Sequence, residues 1–393
     1  MTIVVGSGAG GATVAKELAK RGHEVLLIEK GPVIEEKDAF RHYANIDAGV
    51  KLMRTCCLGG TTMVSGGNGM RCLQAELRSL GIDLETEFAE VERELGVQVL
   101  PDDLLGEGTV RIMEAARSLG HPVHKMPKFI DPTRCCRDGA CAFGCPASAR
   151  WNAVRFVDEA RAYGAKVWAE RCVDEVLVHK GMVKGVRCGN QEIRDDRVVL
   201  AAGALETPRL LQKAGLPTAP LFVDTFVSIG GICKRIRFHT DVPMGAYIPF
   251  RGGLLLPHYS RPLLTLLQKQ ERKVGPGDIL GMMVKIRDED EGEVGETVTK
   301  SVTVRDAEFL IEGASLAGMI LEKAGVDPQT VVVAPLRGSH PGGTARIGVS
   351  VDTNLETVVH GLYVTDASVL PVAPAAPPIL TIVALATYAA KRM

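Results

Sequence analysis

Residues 2–31, TIVVGSGAGGATVAKELAKRGHEVLLIEKG, hold one complete βαβ unit. An apolar β-branched run, Ile3 to Val5, leads into Gly6-Ser7-Gly8-Ala9-Gly10-Gly11, and a helical pattern follows with Val14, Leu18 and Ala19 on one face. A second apolar run ends at Glu29. The glycines have separate tasks: Gly6 permits the tight turn, Gly8 lets backbone approach a pyrophosphate, and Gly11 lets helix and strand pack closely. Glu29, 23 residues after Gly6, is placed for ribose hydroxyls. Strand, helix and acid all stand where a dinucleotide requires them, which predicts a Rossmann-like α/β domain holding NAD or FAD.

The remaining chain chooses between the two. Leu58 to Arg71 is a loop with five glycines, able to offer backbone N–H groups to an anion or to a flavin edge. RVVLAAGALETP, from Arg197 to Pro208, is a further strand running into a small-residue turn. Near the C-terminus come RGSHPGGTARIG from Arg337, then GLYVTDASVLP and PPILTIVALA. Taken together, these segments resemble the glucose–methanol–choline (GMC) family of FAD-dependent oxidoreductases. The resemblance implies FAD, held by Gly6, Gly8, Gly11 and Glu29, by Gly60, Thr61 and Asn68 of the loop, and by Gly203 and Asp366. It also matches Val173 to the position whose backbone meets adenine.

The implied fold class is α/β: a Rossmann-like FAD-binding domain of GMC type with a second α+β substrate domain built on an antiparallel sheet. The FAD domain is expected to be discontinuous, over residues 1–75, 150–220 and 335–393. The substrate domain takes 76–149 and 221–334, including a cysteine-rich loop at 131–149. Helical patterns in LETEFAEVERELG and TVRIMEAARSLG are each stopped by Gly. VSIGGICKRIRFH, DVPMGAYIPF, DILGMMVKIRDEDEGEV and ETVTKSVTV alternate as antiparallel strands do, and RDAEFLIEGASLAGMILEKAG reads as a returning helix. The acidic run Asp288 to Glu293 reads as a solvated hairpin tip.

Charge excludes some function classes. Lys plus Arg (46) nearly balance Asp plus Glu (47), so no basic field recruits nucleic acid, and a small molecule is the expected partner. The apolar stretch Ile379 to Ala390 falls short of the ~20 residues of a membrane span and reads as a buried helix. MTIVVGSG enters a strand at once, without a charged leader, so a cytoplasmic location is expected. A reducing compartment makes the ten cysteines an unsuitable disulfide framework.

CCRDGACAFGCP, residues 135–146, carries four of those cysteines. The spacing Cys135-x2-Asp138-x2-Cys141-x3-Cys145-Pro resembles the bacterial ferredoxin run, with Asp138 at the second cysteine's place. The expectation is an iron–sulfur cluster of four-iron type on Cys135, Cys141, Cys145 and either Asp138 or Cys136. Zinc and plainly buried thiols are the competing readings. Cys72, Cys172, Cys188 and Cys233 stand singly in apolar patterns and are expected to be buried.

Oxidising an alcohol by hydride transfer to flavin needs a base near neutrality, a role suited to histidine. The family's catalytic His opens its HPxGT pattern, which falls on His340 here. Family members also place Asn or His over the flavin just before a proline, and this chain has Pro377, which offers no donor. His239 and His258 are the alternative sources of a second polar group. The expected function is an FAD-dependent dehydrogenase of a CH–OH group, with electrons leaving through the cluster to a ferredoxin-like or complex-subunit partner. An electron-transfer subunit of a larger complex and a flavin-dependent C=C reductase of an apolar substrate are the alternatives.

Overall fold

The computed structural model of the chain describes residues 1–289 and 291–393. Five parallel strands form the first sheet, in the order Leu362–Val364, Val198–Leu200, Thr2–Val5, Val25–Ile28 and Lys166–Trp168. Thr2–Val5 and Val25–Ile28 are buried throughout. Strands covered on both faces read as unbroken apolar runs for this reason. Helix Ala9–Lys20 packs on Val154–Ala162 and on the last helix, Ile379–Ala390. Two glycines let the first turn of helix Ala9–Lys20 lie against neighbouring backbone: a Cβ on Gly10 would lie 1.7 Å from the Thr365 carbonyl oxygen, and one on Gly11 2.0 Å from that of Gly6. The last helix is buried from Leu380 to Ala390, as an all-round apolar helix must be. Among the described residues no helix is long and apolar enough to cross a membrane.

The second sheet runs Tyr43–Asp47, Lys51–Thr55, Arg337–Gly338, Thr225–Ile232, Ile279–Ile286, Gly253–Pro257, Ala246–Phe250 and His124–Lys125. Its core is antiparallel, with Phe226 opposite Lys285 and with Met283 opposite both Ser228 and Leu256. Directly paired residues share a face, so these five side chains form one patch. Helix Val304–Lys323 covers the opposite face, burying Phe309, Gly313, Ala317, Ile320 and Leu321. Its start is a capping box in which Thr303 and Asp306 each accept the other's backbone N–H at 3.1 Å.

The expected helices appear as Glu85–Leu95 and Glu107–Ser118, ended by left-handed Gly96 and Gly120. Phe88, Val91 and Leu95 sink into the core that also holds Val14 and Leu385. Asp288 departs from expectation. Its carboxylate is buried, accepting hydrogen bonds from the N–H groups of Val223 (3.2 Å) and Asp224 (2.9 Å) and from Thr225 Oγ1 (2.9 Å). Lys300 Nζ lies 3.3 Å away. The hairpin pairs Gly292–Val294 with Val298–Lys300, so its turn lies beyond the acidic run. Asp290 of that run lies outside the described residues. A carboxylate leaves water only when partners replace it, and these come from segments distant in sequence.

Candidate active site

A cavity of ≈ 710 Å³ runs between the two sheets, from the first glycine turn to His340. Gly6, Gly8, Glu29, Gly60, Thr61, Asn68, Val173, Gly203, Asp366 and His340 all line it. Gly11 does not, lying against the Gly6 carbonyl as a helix-packing residue. The structure therefore brings together residues from six separate stretches of chain.

At one end Glu29 closes the strand Val25–Ile28. Its Oε2 accepts hydrogen bonds from Ser7 N (3.0 Å) and Ser7 Oγ (2.7 Å), and its Oε1 from Gly31 N (2.8 Å). Ser7 Oγ in turn accepts from Gly59 N at 2.9 Å, tying the first turn to the second glycine loop. Asp366 fixes the third turn in the same way, accepting from Gly203 N (2.8 Å) and Thr207 Oγ1 (2.6 Å). A Cβ on Gly8 or Gly203 would meet nothing within 4 Å, so at both places bare backbone faces open cavity. The helices starting at Ala9 and at Ile379 have no side-chain cap, and both starts line the cavity. Uncapped N-termini carry free N–H groups and a partial positive charge, which suits phosphate and an electron-rich ring edge. The donors, the open backbone and the elongated cavity fit FAD.

Two buried cations that the sequence reading missed shape the second glycine loop. Lys128 Nζ donates to Gly66 O (3.0 Å), Pro243 O (2.6 Å) and the side chain of cavity-lining Asn68. Burial pushes its pKa down to about 7, partly opposed by Cys141 and Cys135. Arg150 holds the loop through Ser65 Oγ (3.1 Å) and the carbonyls of Thr62 and Met63, with Glu36 at 2.9 Å as counterion. Each is a charged residue flanked by apolar neighbours, in KFI and ARW, which was the available signal.

At the far end His340 meets groups from two other segments. Its Nδ1 lies 2.9 Å from Asp224 Oδ2 and 3.3 Å from Lys285 Nζ. Lys285 also donates to Ser339 Oγ (2.8 Å) and Asp224 O (3.2 Å). Asp224 Oδ1 accepts from Ala375 N at 2.9 Å, in the segment before the last helix. Asp224 itself takes a left-handed φ of +48°, a strained conformation for a residue with a side chain. Burial, reinforced by the Lys285 charge and opposed by Asp224, pushes the His340 pKa down to about 4. The imidazole is therefore neutral at neutral pH. An ionised Asp224 can only accept, so a neutral ring that donates Nδ1–H to it leaves the Nε2 lone pair open.

Lys285 and Asp224 also escaped the sequence reading. Each is one charged residue in an apolar run, ILGMMVKI and LFVDTF, and that interruption was the signal. Phe226, Ser228, Met244, Leu256 and Met283 make the adjoining wall, with Pro377 opposite in chain terms. His258 lines the cavity, and burial with nearby Arg337 and Lys285 pushes its pKa to about 4. His239 is not among the lining residues.

The cysteine loop reaches the cavity only through Ala142. Cys141 and Cys145 are buried, Cys135 is half-buried, and Cys136 and Asp138 are exposed. Asp138 Oδ1 accepts from Ala140 N at 3.0 Å, closing its own turn. Among the described residues no group of three or more His, Cys, Asp or Glu is arranged to hold a metal ion. The expected iron–sulfur centre thus finds no support in this arrangement. Cys72, Cys188 and Cys233 are buried as expected, whereas Cys172 is exposed and lines the cavity beside Val173.

The GMC oxidoreductase N-terminal model matches residues 2–241 and the C-terminal model residues 299–386. An uncharacterized protein of Methanocaldococcus jannaschii, MJ1450, is 33% identical over 97% of this chain and 96% of its own length. The Arabidopsis thaliana long-chain-alcohol oxidase FAO4B is 24% identical over 97% of this chain and 65% of its own length. The crystal structure of pyridoxine 4-oxidase from Mesorbium loti superposes with a TM-score of 0.72 at 16% identity, covering 100% of this chain and 98% of that one.

Proposed function

Because the chain belongs to the GMC oxidoreductase family, we propose that it is an FAD-dependent dehydrogenase of a CH–OH group. The observation that carries this reading is the His340 imidazole on the cavity lining, its Nδ1 2.9 Å from Asp224 Oδ2. FAD would be held by the turn at Gly6 and Gly8, Glu29, Gly60, Thr61, Asn68, Val173, Gly203 and Asp366. When bound, FAD supplies the hydride acceptor.

The chain's own residues do the rest. His340 Nε2 takes the hydroxyl proton, while Asp224 keeps Nδ1–H in place and stabilises the imidazolium that forms. The wall of Phe226, Leu256, Met244 and Met283 holds an apolar substrate body and excludes water. The names of the alcohol and pyridoxine oxidases among the similar proteins support an alcohol group as the reacting one. The cysteine loop has no part in this proposal, because among the described residues no arrangement of ligands supports a second centre.

The test is anaerobic reduction of the bound flavin by a panel of primary alcohols, sugars and hydroxy acids. Bleaching by at least one alcohol is expected, and His340→Ala slows it by about 10²–10⁴-fold with flavin content unchanged. A flavin that no hydroxyl compound bleaches sinks the reading, and co-purification with other subunits would then favour an electron-transfer role.

A further inference from the structure

The family's second polar side chain over the flavin has no counterpart at Pro377, yet the cavity's end is not short of polar groups. We propose that Lys285 fills that deficit as a positioning residue, its charge keeping the His340 imidazole unprotonated while Asp224 holds the tautomer that leaves Nε2 as base. The proposal rests on the dehydrogenase reading above and deepens it.

Lys285 lies in the strand Ile279–Ile286, every residue of which is buried. The Lys285 and Asp224 side chains are 3% and 0% exposed, so neither is solvated. An ammonium has three donors. Two go to Ser339 Oγ (2.8 Å) and Asp224 O (3.2 Å), and Nζ stands 3.3 Å from His340 Nδ1 and 3.8 Å from Asp224 Oδ2, where it acts on the ring as a charge and not as a hydrogen-bond donor to Nδ1–H. Burial pushes the Lys285 pKa down, the Asp224 and Asp288 carboxylates oppose that and favour its charged form, and the amine stands beside the ring that would become an imidazolium.

Asp224 and Lys285 act on His340 with opposite sign. Alone, Asp224 would fix the tautomer but also raise the ring's affinity for a proton, leaving less base near neutrality. Lys285 offsets that rise without disturbing the Nδ1–H bond. Other charges face the pair. Asp288 lies behind Asp224, hydrogen-bonded to its N–H and matched by Lys300 at 3.3 Å. Arg337 and His258 lie on the cavity side, and Phe226 presents its ring 5.5 Å from Lys285 Nζ. Among the described residues, Lys285 and Asp224 are the two recorded within hydrogen-bond distance of the His340 ring.

The experiment uses the FAD-loaded enzyme and the variants Lys285→Met, Lys285→Gln and Lys285→Arg. It has two readouts: the pH profile of kcat/KM with a primary alcohol that bleaches the flavin, and an NMR titration of the His340 ring. Removing the cation while Asp224 stays raises the ring's proton affinity. Both Met and Gln variants should therefore move the acid limb of kcat/KM and the ring titration upward by about one pH unit or more. Gln keeps polar contact with Ser339 and serves if Met fails to fold, judged by melting and flavin content. Arg, which keeps the charge, should lie nearer the wild type than Gln does. Limbs and ring titrations that coincide with the wild type in both neutral variants overturn the proposal, even if the rate falls. If no alcohol bleaches the wild-type flavin, the dehydrogenase reading fails by itself, and the NMR titration still decides whether Lys285 governs His340.

Discussion

At the nucleotide end of the cavity, Ser7, Glu29 and Gly31 come from one short βαβ unit and bond to one another. At the catalytic end, His340, Asp224, Lys285 and Ala375 come from four separate segments and meet only there. The first end presents backbone, with open space over Gly8 and Gly203. The second presents side chains whose charges are buried and matched in pairs. Backbone sites tolerate change in neighbouring side chains but not the loss of a glycine. A paired-charge site fails when one partner is removed, because the other is left buried and uncompensated. Retention of the cofactor should therefore depend on the first end and chemistry on the second, and variants can separate them.

The largest effect is expected at Gly10. A Cβ there would lie 1.7 Å from the Thr365 carbonyl oxygen, and its three nearest atoms are all backbone of Thr365 and Asp366, with no flexible side chain among them to give way. Gly10→Val should abolish flavin retention and lower the melting temperature steeply, read from the flavin-to-protein ratio and a thermal scan. A variant that keeps its full flavin complement would break the contrast between the two ends.

A smaller, more selective effect is expected at Asp224. Asp224→Asn can turn its amide N–H toward Nδ1 and favour the tautomer with the proton on Nε2, which is no longer a base. Flavin reduction should slow by about 10²–10⁴-fold while flavin content stays at the wild-type value. Equal loss of flavin and activity would mean that the two ends are not separable.

The smallest effect concerns stability and pH. His340 and His258 have folded pKa values of about 4 against 6.5 for a free imidazole. Between those pH values the unfolded chain binds more protons than the folded one, so stability rises with pH. It is fully present above about pH 6.5 and is lost progressively as the pH falls toward 4. Replacing His258 with Gln should flatten the decline in melting temperature over this window relative to the wild type. An unchanged slope would show that the catalytic end does not hold its histidines neutral.

Much of this molecule was legible in its linear pattern because the relevant spacing was local. Gly6, Gly8, Gly11 and Glu29 lie in one supersecondary unit, whose phosphate-facing turn and strand-end acid follow from strand and helix geometry alone. His340 was legible through the motif around it, and the last helix through its unbroken apolar composition. Asp288 and Asp138 show the converse. Both are acids beside polar neighbours, yet one is buried on Lys300 and the other closes an exposed turn. Nothing within a few residues of either distinguishes them.

The sequence by itself determined the βαβ nucleotide unit and the two-sheet α/β class, since each rests on periodicity or short-range spacing, and the resemblance singled out His340. Only the tertiary structure decided which charges the base meets. Sheet register put Phe226 opposite Lys285, and the chain crossing before the last helix brought Ala375 to Asp224. The fold gathers Cys135 and Cys145 of CCRDGACAFGCP into one cluster, yet among the described residues it arranges no group of three or more His, Cys, Asp or Glu to hold a metal ion. The physical reason is the same throughout: a buried charge is stabilised by whatever lies within a few ångströms, and that distance is set by folding, not by separation along the chain.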